Sequence, residues 1–101
     1  MAQFLEAADL DQIPSGTGTT VKIADQEIAL FNVDGEIYAM GDSCPHAGAS
    51  LGAGRLDGRI VTCRAHGLRY DVSTGQVTTG GFGVPCYQVK IANGKILVAI
   101  E

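Results

Sequence analysis

The sequence predicts an all-β domain, a small antiparallel sandwich or incomplete barrel. Three observations carry that prediction. Its apolar runs are short and rich in β-formers, and dipeptides that favour tight hairpins recur between them. Gly is abundant at 14 residues, Trp is absent, and long amphipathic runs are few. A chain of 101 residues makes one domain over 1–101, and an apolar content of 46% argues against disorder.

Near the start, Glu6 to Leu10 reads as a short helical turn, the one helix expected. "VKIADQEIALFNVDGEIYAM" then reads as strand, turn, strand, turn, strand. Ile28, Phe31 and Val33 mark the middle run, and Asp34-Gly35 suits a two-residue hairpin. "GRLDGRIVTC" repeats the device with Asp57-Gly58 before a strand from Ile60 to Thr62. At the C-terminus Tyr87 to Ile91 and Lys95 to Ile100 flank Asn93-Gly94 as a further hairpin. The segments 41–58 and 78–85 lack a strand period and read as loops. Gly80, Gly81 and Gly83 allow backbone shapes closed to other residues, and Pro85 stiffens the exit.

A net charge of −4 makes nucleic acid a poor partner, because such binding needs clustered Lys and Arg. "MAQFLEAADL" lacks the basic and apolar parts of a signal peptide, and no run is long enough to cross a bilayer. A cytoplasmic protein with no membrane attachment is therefore expected. Three cysteines are an odd number, which rules out a complete disulfide framework.

The chemistry concentrates in two stretches, "DSCPHAGASLG" at 42–52 and "TCRAHGLRYD" at 62–71. Cys44-x-His46 is followed, after sixteen residues, by Cys63-x-x-His66, and these are the only two His in the chain. Buried Cys and His with no joint role would explain either residue type alone. A structural zinc site uses two Cys and two His, but its usual pairs are Cys with Cys and His with His. A mixed-ligand 2Fe–2S centre, in which two His replace two Cys on one iron, uses one of each from two loops.

At these residues the chain resembles the Rieske ferredoxin family. "CPHAGASL" and "CRAHGLRYD" look like that family's two cluster-binding boxes, and "GRLDG" and "STGQV" match their usual context. The resemblance covers nearly the whole chain. It implies the Rieske fold, with a cluster-binding subdomain over about 42–85 inserted in the β framework. It also implies one 2Fe–2S cluster, with Cys44 and Cys63 on one iron and His46 and His66 on the other. Pro45, Gly48 and Gly67 match positions where the loops turn beside the cluster, and Gly80 to Pro85 resembles the covering third loop. By the same resemblance the Tyr70 hydroxyl reaches the sulfur of Cys44.

Two departures narrow the family. Respiratory and photosynthetic members carry an extra Cys in each box, joined as a disulfide, where this chain has Ala49 and Ala65. They also carry a Ser where this chain has Leu68. The chain is thus closer to the ferredoxins that serve bacterial oxygenases. Cys86 is expected to be a buried apolar filler, and Arg55, Arg59, Arg64 and Arg69 to be mostly solvated surface.

The expected role is that of a one-electron carrier with no catalytic residues of its own. With no third His, a mononuclear 2-His-1-carboxylate iron would have to take its His from the cluster. No Gly-x-Gly-x-x-Gly fingerprint opens a helix for a flavin or nicotinamide. The implied partners are a flavin-dependent reductase and a terminal oxygenase of the aromatic-ring dioxygenase type. The alternatives are the small subunit of an assimilatory nitrite reductase, beside its large subunit, and a zinc-binding interaction module.

Overall fold

The computed structural model describes residues 3–43, 50–64, 67–78 and 83–100. Within these residues the strands form antiparallel sheets, as expected. One sheet has the order β1–β11–β10, with β1 Gln3–Asp9, β10 Val89–Ala92 and β11 Lys95–Ile100. A second has the order β2–β3–β4–β9, with β2 Gly18–Ile23, β3 Gln26–Val33, β4 Glu36–Gly41 and β9 Cys86–Tyr87. The third runs β5–β6–β7–β8, with β5 Arg55–Asp57, β6 Ile60–Thr62, β7 Arg69–Asp71 and β8 Gln76–Val77.

Strand β3 organises the interior. Ile28, Ala29, Leu30 and Phe31 are all fully buried, so both faces of this strand are covered. Successive side chains point to opposite faces. Ile28 and Leu30 accordingly pack with Ile13, Ile96 and Val98, between the first two sheets. Ala29 and Phe31 pack with Leu51, Val61, Cys63 and Tyr70, toward the third sheet. Each large apolar side chain buried there contributes about 1.5–3 kcal/mol. The third sheet is thus seated on the framework through the back of the same strand that centres the other core.

The hairpins at Asp34-Gly35 and Asn93-Gly94 form as expected, with positive φ at both turn residues. The same shape recurs at Ala24-Asp25, where φ is 50° and 65°. Ala at such a φ carries a steric cost that Asn or Gly there would largely avoid.

Four expectations are corrected. Glu6 to Leu10 does not form a helical turn: β1 continues to Asp9, and a 3₁₀ turn follows at Leu10–Gln12. Strand β1 pairs with the apolar β11, and that tertiary pairing overrides local propensity. The hairpin loop at 57–60 is Gly58-Arg59, because Asp57 pairs with Ile60 and belongs to the ladder. Residues 55–57 were expected as loop and instead form β5, too short to show a period. The run from Tyr87 to Ile91 is divided at Gln88. Tyr87 pairs with Ala39 of β4, and Val89 pairs with Val98 of β11, so one extended segment bridges two sheets at a barrel corner.

Candidate metal centre

Of the four expected ligands, Cys63 is described, while Cys44, His46 and His66 lie outside the described residues, as do Pro45, Gly48, Ala49, Ala65, Gly80 and Gly81. The framework at the ends of the three box segments is described, and it is closely fixed.

Cys63 follows β6 and heads the turn to β7. Its N–H donates to the Leu68 carbonyl at 2.7 Å, and its carbonyl accepts the Gly67 N–H at 2.9 Å. Gly67 closes the turn at φ +70°, a shape that favours Gly. The Cys63 side chain is 1% exposed, is free of any disulfide, and packs in the apolar cluster with Leu51, Tyr70 and Val84. Tyr70 is fully buried on β7, opposite Val61 of β6. Leu68 packs partly buried against the same cluster.

The segment 43–50 is clamped at its base by Asp42, which sequence reasoning missed. Asp42 is 1% exposed. Its Oδ1 accepts from Thr20 Oγ1 at 2.9 Å, Ser50 Oγ at 3.0 Å and the Gly52 N–H at 2.7 Å. Its carbonyl accepts the Leu51 N–H at 2.7 Å, and Ser43 bridges to Ser50. Gly52 is needed for this approach, since a Cβ there would lie 2.3 Å from Thr20 Oγ1 and 2.6 Å from the Thr19 carbonyl oxygen. The only local signal was a carboxylate at the end of an apolar strand. Its partners Thr20 and Gly52 lie 22 and 10 residues away.

The third segment is anchored at Gly75 and Val84. The Val84 N–H donates to the Gly75 carbonyl at 2.8 Å, and a Cβ on Gly75 would meet the Val84 carbonyl oxygen at 2.1 Å. The Thr78 N–H donates to the Arg69 carbonyl at 2.9 Å. Pro85 has an exposed ring, but its carbonyl accepts the Gly41 N–H at 2.8 Å, tying the third segment to the strand that leads into the first.

Cys86 is exposed, which corrects the expectation of a buried filler. It lies on β9, the short edge strand of its sheet, beyond which no strand pairs in that sheet among the described residues. Arg55, Arg59, Arg64 and Arg69 are all exposed, as expected.

Away from the three segments, Asp71 is held below the usual carboxylate range. The Ser73 hydroxyl at 2.6 Å is the main cause; partial burial opposes it, and the Ser73 N–H at 2.9 Å and the nearby Arg59 assist. Tyr38 is pushed up, chiefly by its hydrogen bond to Glu36 at 2.8 Å, with Arg59 pulling the other way.

Among the described residues no group of His, Cys, Asp and Glu side chains could by itself hold a metal ion. What the described part supplies is one soft sulfur donor, buried and without a disulfide partner, at the head of a closed turn. That chemistry suits iron–sulfur ligation.

Comparison with known proteins agrees. The chain is 40% identical over 100 residues to the ferredoxin component of naphthalene 1,2-dioxygenase/salicylate 5-hydroxylase systems from Ralstonia sp., covering 97% of this chain and 96% of that one. Its structure superposes on the ferredoxin of carbazole 1,9a-dioxygenase from Nocardioides aromaticivorans IC177 with a TM-score of 0.91, at 29% identity, covering 98% and 99% of the two chains. It is also similar to an NADH-dependent nitrite reductase small subunit from Mycobacterium tuberculosis, with a TM-score of 0.89 and 25% identity over 100% of this chain and 97% of that one. The model of the Rieske [2Fe-2S] domain matches residues 3–89, and with the buried thiol and clamped segments this makes the chain a member of the Rieske [2Fe-2S] family.

Proposed function

We propose that this chain is a soluble, cytoplasmic one-electron carrier, passing electrons from a flavin-dependent reductase to the terminal oxygenase of an aromatic-ring dioxygenase system. The observation that carries the reading is the buried, disulfide-free Cys63, hydrogen-bonded to Gly67 and Leu68, within a family match that spans residues 3–89. Cys44, His46, Cys63 and His66 are the proposed ligands, in a cluster-binding part over about 42–85. A bound 2Fe–2S cluster supplies a one-electron redox couple.

The protein's own residues shape that couple. Cys63 sits among apolar side chains that exclude water on its inner side. The Tyr70 hydroxyl is proposed to donate a hydrogen bond to the Cys44 sulfur, which favours the more negative, reduced state. Leu68 offers no such donor. By the family range of about −150 to +300 mV, the midpoint belongs in the lower part, about −150 to 0 mV.

The relative from Ralstonia favours the dioxygenase system, and the nitrite reductase neighbour keeps a second partner in view. Neighbouring genes distinguish them: an oxygenase α subunit supports the first reading and a nitrite reductase large subunit the second. The cluster itself is tested by iron and sulfide analysis with a visible spectrum. Wild type is expected to be brown-red with two irons per chain, and Cys44→Ser and His66→Ala to lack the intact cluster. A colourless wild-type protein that holds zinc would instead establish the zinc module.

A further inference from the structure

Charge is unevenly spread along this chain. Segment 42–85 holds four Arg against three Asp, a net of +1, while the remainder holds three Lys against eight acidic residues, a net of −5. The structure gathers part of the positive charge on one face. Arg55 pairs with Thr62 and Thr62 with Arg69, so the three align across β5, β6 and β7. With Ile60 and Asp57 they line a shallow groove of about 380 Å³. The row stands at the end of the sheet nearest Cys63, since Thr62 precedes Cys63 and Leu68 joins the Cys63 turn to Arg69. Arg64 is exposed directly after Cys63.

The arginines are not equivalent. Arg59, in the hairpin loop at the opposite end of β6, faces Tyr38 and Asp71. Arg55 and Arg69 are exposed and form no ion pair among the described residues. Asp57 and Asp71 flank Ile60 in the next row of the same face, one alternate position beyond Arg55 and Arg69, so the positive character is confined to the row beside the Cys63 turn.

We propose that the Arg55–Thr62–Arg69 face is the docking surface for a carboxylate-rich patch on the protein redox partner. The inference rests on reading the chain as an electron carrier. Guanidinium forks match carboxylates in a bidentate geometry. A local positive face on an acidic molecule also orients encounter, because the remainder of the chain carries a net −5 that disfavours approach of an acidic partner elsewhere. The same net negative remainder disfavours a nucleic acid on this face.

The test mixes the dithionite-reduced protein in a stopped-flow instrument with two acceptors, the trivalent anion hexacyanoferrate(III) and the acidic haem protein cytochrome b5. Ionic strength is varied from about 0.02 to 0.5 M, which takes the Debye length from above 20 Å to below 5 Å. Both rate constants are expected to fall as salt rises, although the net charge of the chain predicts the opposite. A trivalent anion about 10 Å from one guanidinium is favoured roughly two-fold at 0.1 M ionic strength. The double variant Arg55→Gln/Arg69→Gln is therefore expected to slow both reactions by about four-fold or more and to flatten or reverse the salt dependence. The control Lys22→Gln/Lys90→Gln is expected to leave the salt dependence falling.

Rates that rise with salt in wild type would overturn the proposal, as would a double variant indistinguishable from wild type. An effect on hexacyanoferrate(III) without one on cytochrome b5 would overturn it too, showing a small-anion site only. Visible spectra and midpoints of all variants separate this from the carrier reading. A protein without a one-electron couple sinks the carrier reading, while an intact couple with the wrong salt dependence sinks the docking face alone.

Discussion

Replacing Asp42 by Ala removes the acceptor that three donors share. Hydrogen bonds to a charged group are each worth about 1.5–3 kcal/mol, but they do not add here. Thr20 Oγ1 and Ser50 Oγ lie 2.9 Å apart and can bond each other once the carboxylate is gone. The Gly52 N–H, on a buried residue and aimed at Oδ1 from 2.7 Å, has no such recourse. One charge-assisted bond lost, one buried donor orphaned and a small cavity together come to about 3–5 kcal/mol. That is a large share of the 5–15 kcal/mol typical of a whole domain. Asp42→Asn keeps a neutral carbonyl acceptor and is expected to cost about 1–2 kcal/mol. Urea denaturation followed by far-ultraviolet circular dichroism measures both variants. Because the clamp also sets the base of the segment with Cys44 and His46, iron content per chain is expected to fall in Asp42→Ala and to recover substantially in Asp42→Asn. An Asp42→Ala protein within about 1 kcal/mol of wild type, with full iron content, would refute the clamp.

Three further outcomes are expected. Gly75→Ala places a Cβ against the Val84 carbonyl oxygen at φ +79° and is expected to destabilise by at least about 2 kcal/mol, measured by thermal unfolding. The folded-state pKa of Asp71 is depressed, so its contribution is present above the unfolded carboxylate value and is lost as pH falls through the lower folded value. Ser73→Ala removes the main cause of that depression and is expected to move acid unfolding to higher pH; an unchanged acid transition would contradict it. Tyr70→Phe is expected to lower the midpoint by tens of millivolts, since about 1.4 kcal/mol corresponds to 59 mV for one electron, and spectroelectrochemistry that finds no shift would remove the proposed bond to Cys44.

Local rules were enough where the structure is local. Asp34-Gly35 and Asn93-Gly94 formed their hairpins because two residues suffice to set such a turn. The four expected ligands stood out because one Cys and one His recur at short spacing in a chain with no other His. The misses arose where a distant strand decides the outcome. Residues 6–9 are extended because β11 pairs with them, and Gln88 interrupts a strand because its neighbours join different sheets. Cys86 was placed inside from its residue type, yet the topology sets it on an edge. Asp42 escaped notice because its donors come from β2, from the far end of the first box and from Gly52 just beyond it, an arrangement that only the fold assembles.

The central claim is a cluster held by two thiolates and two imidazoles. Electron paramagnetic resonance of the reduced protein, with nitrogen hyperfine couplings resolved by electron–nuclear double resonance, tests it most directly. An average g below the free-electron value with couplings from two coordinated nitrogens is predicted, both lost in His46→Ala and His66→Ala. A spectrum matching an all-Cys cluster, or one without coordinated nitrogen, would contradict it.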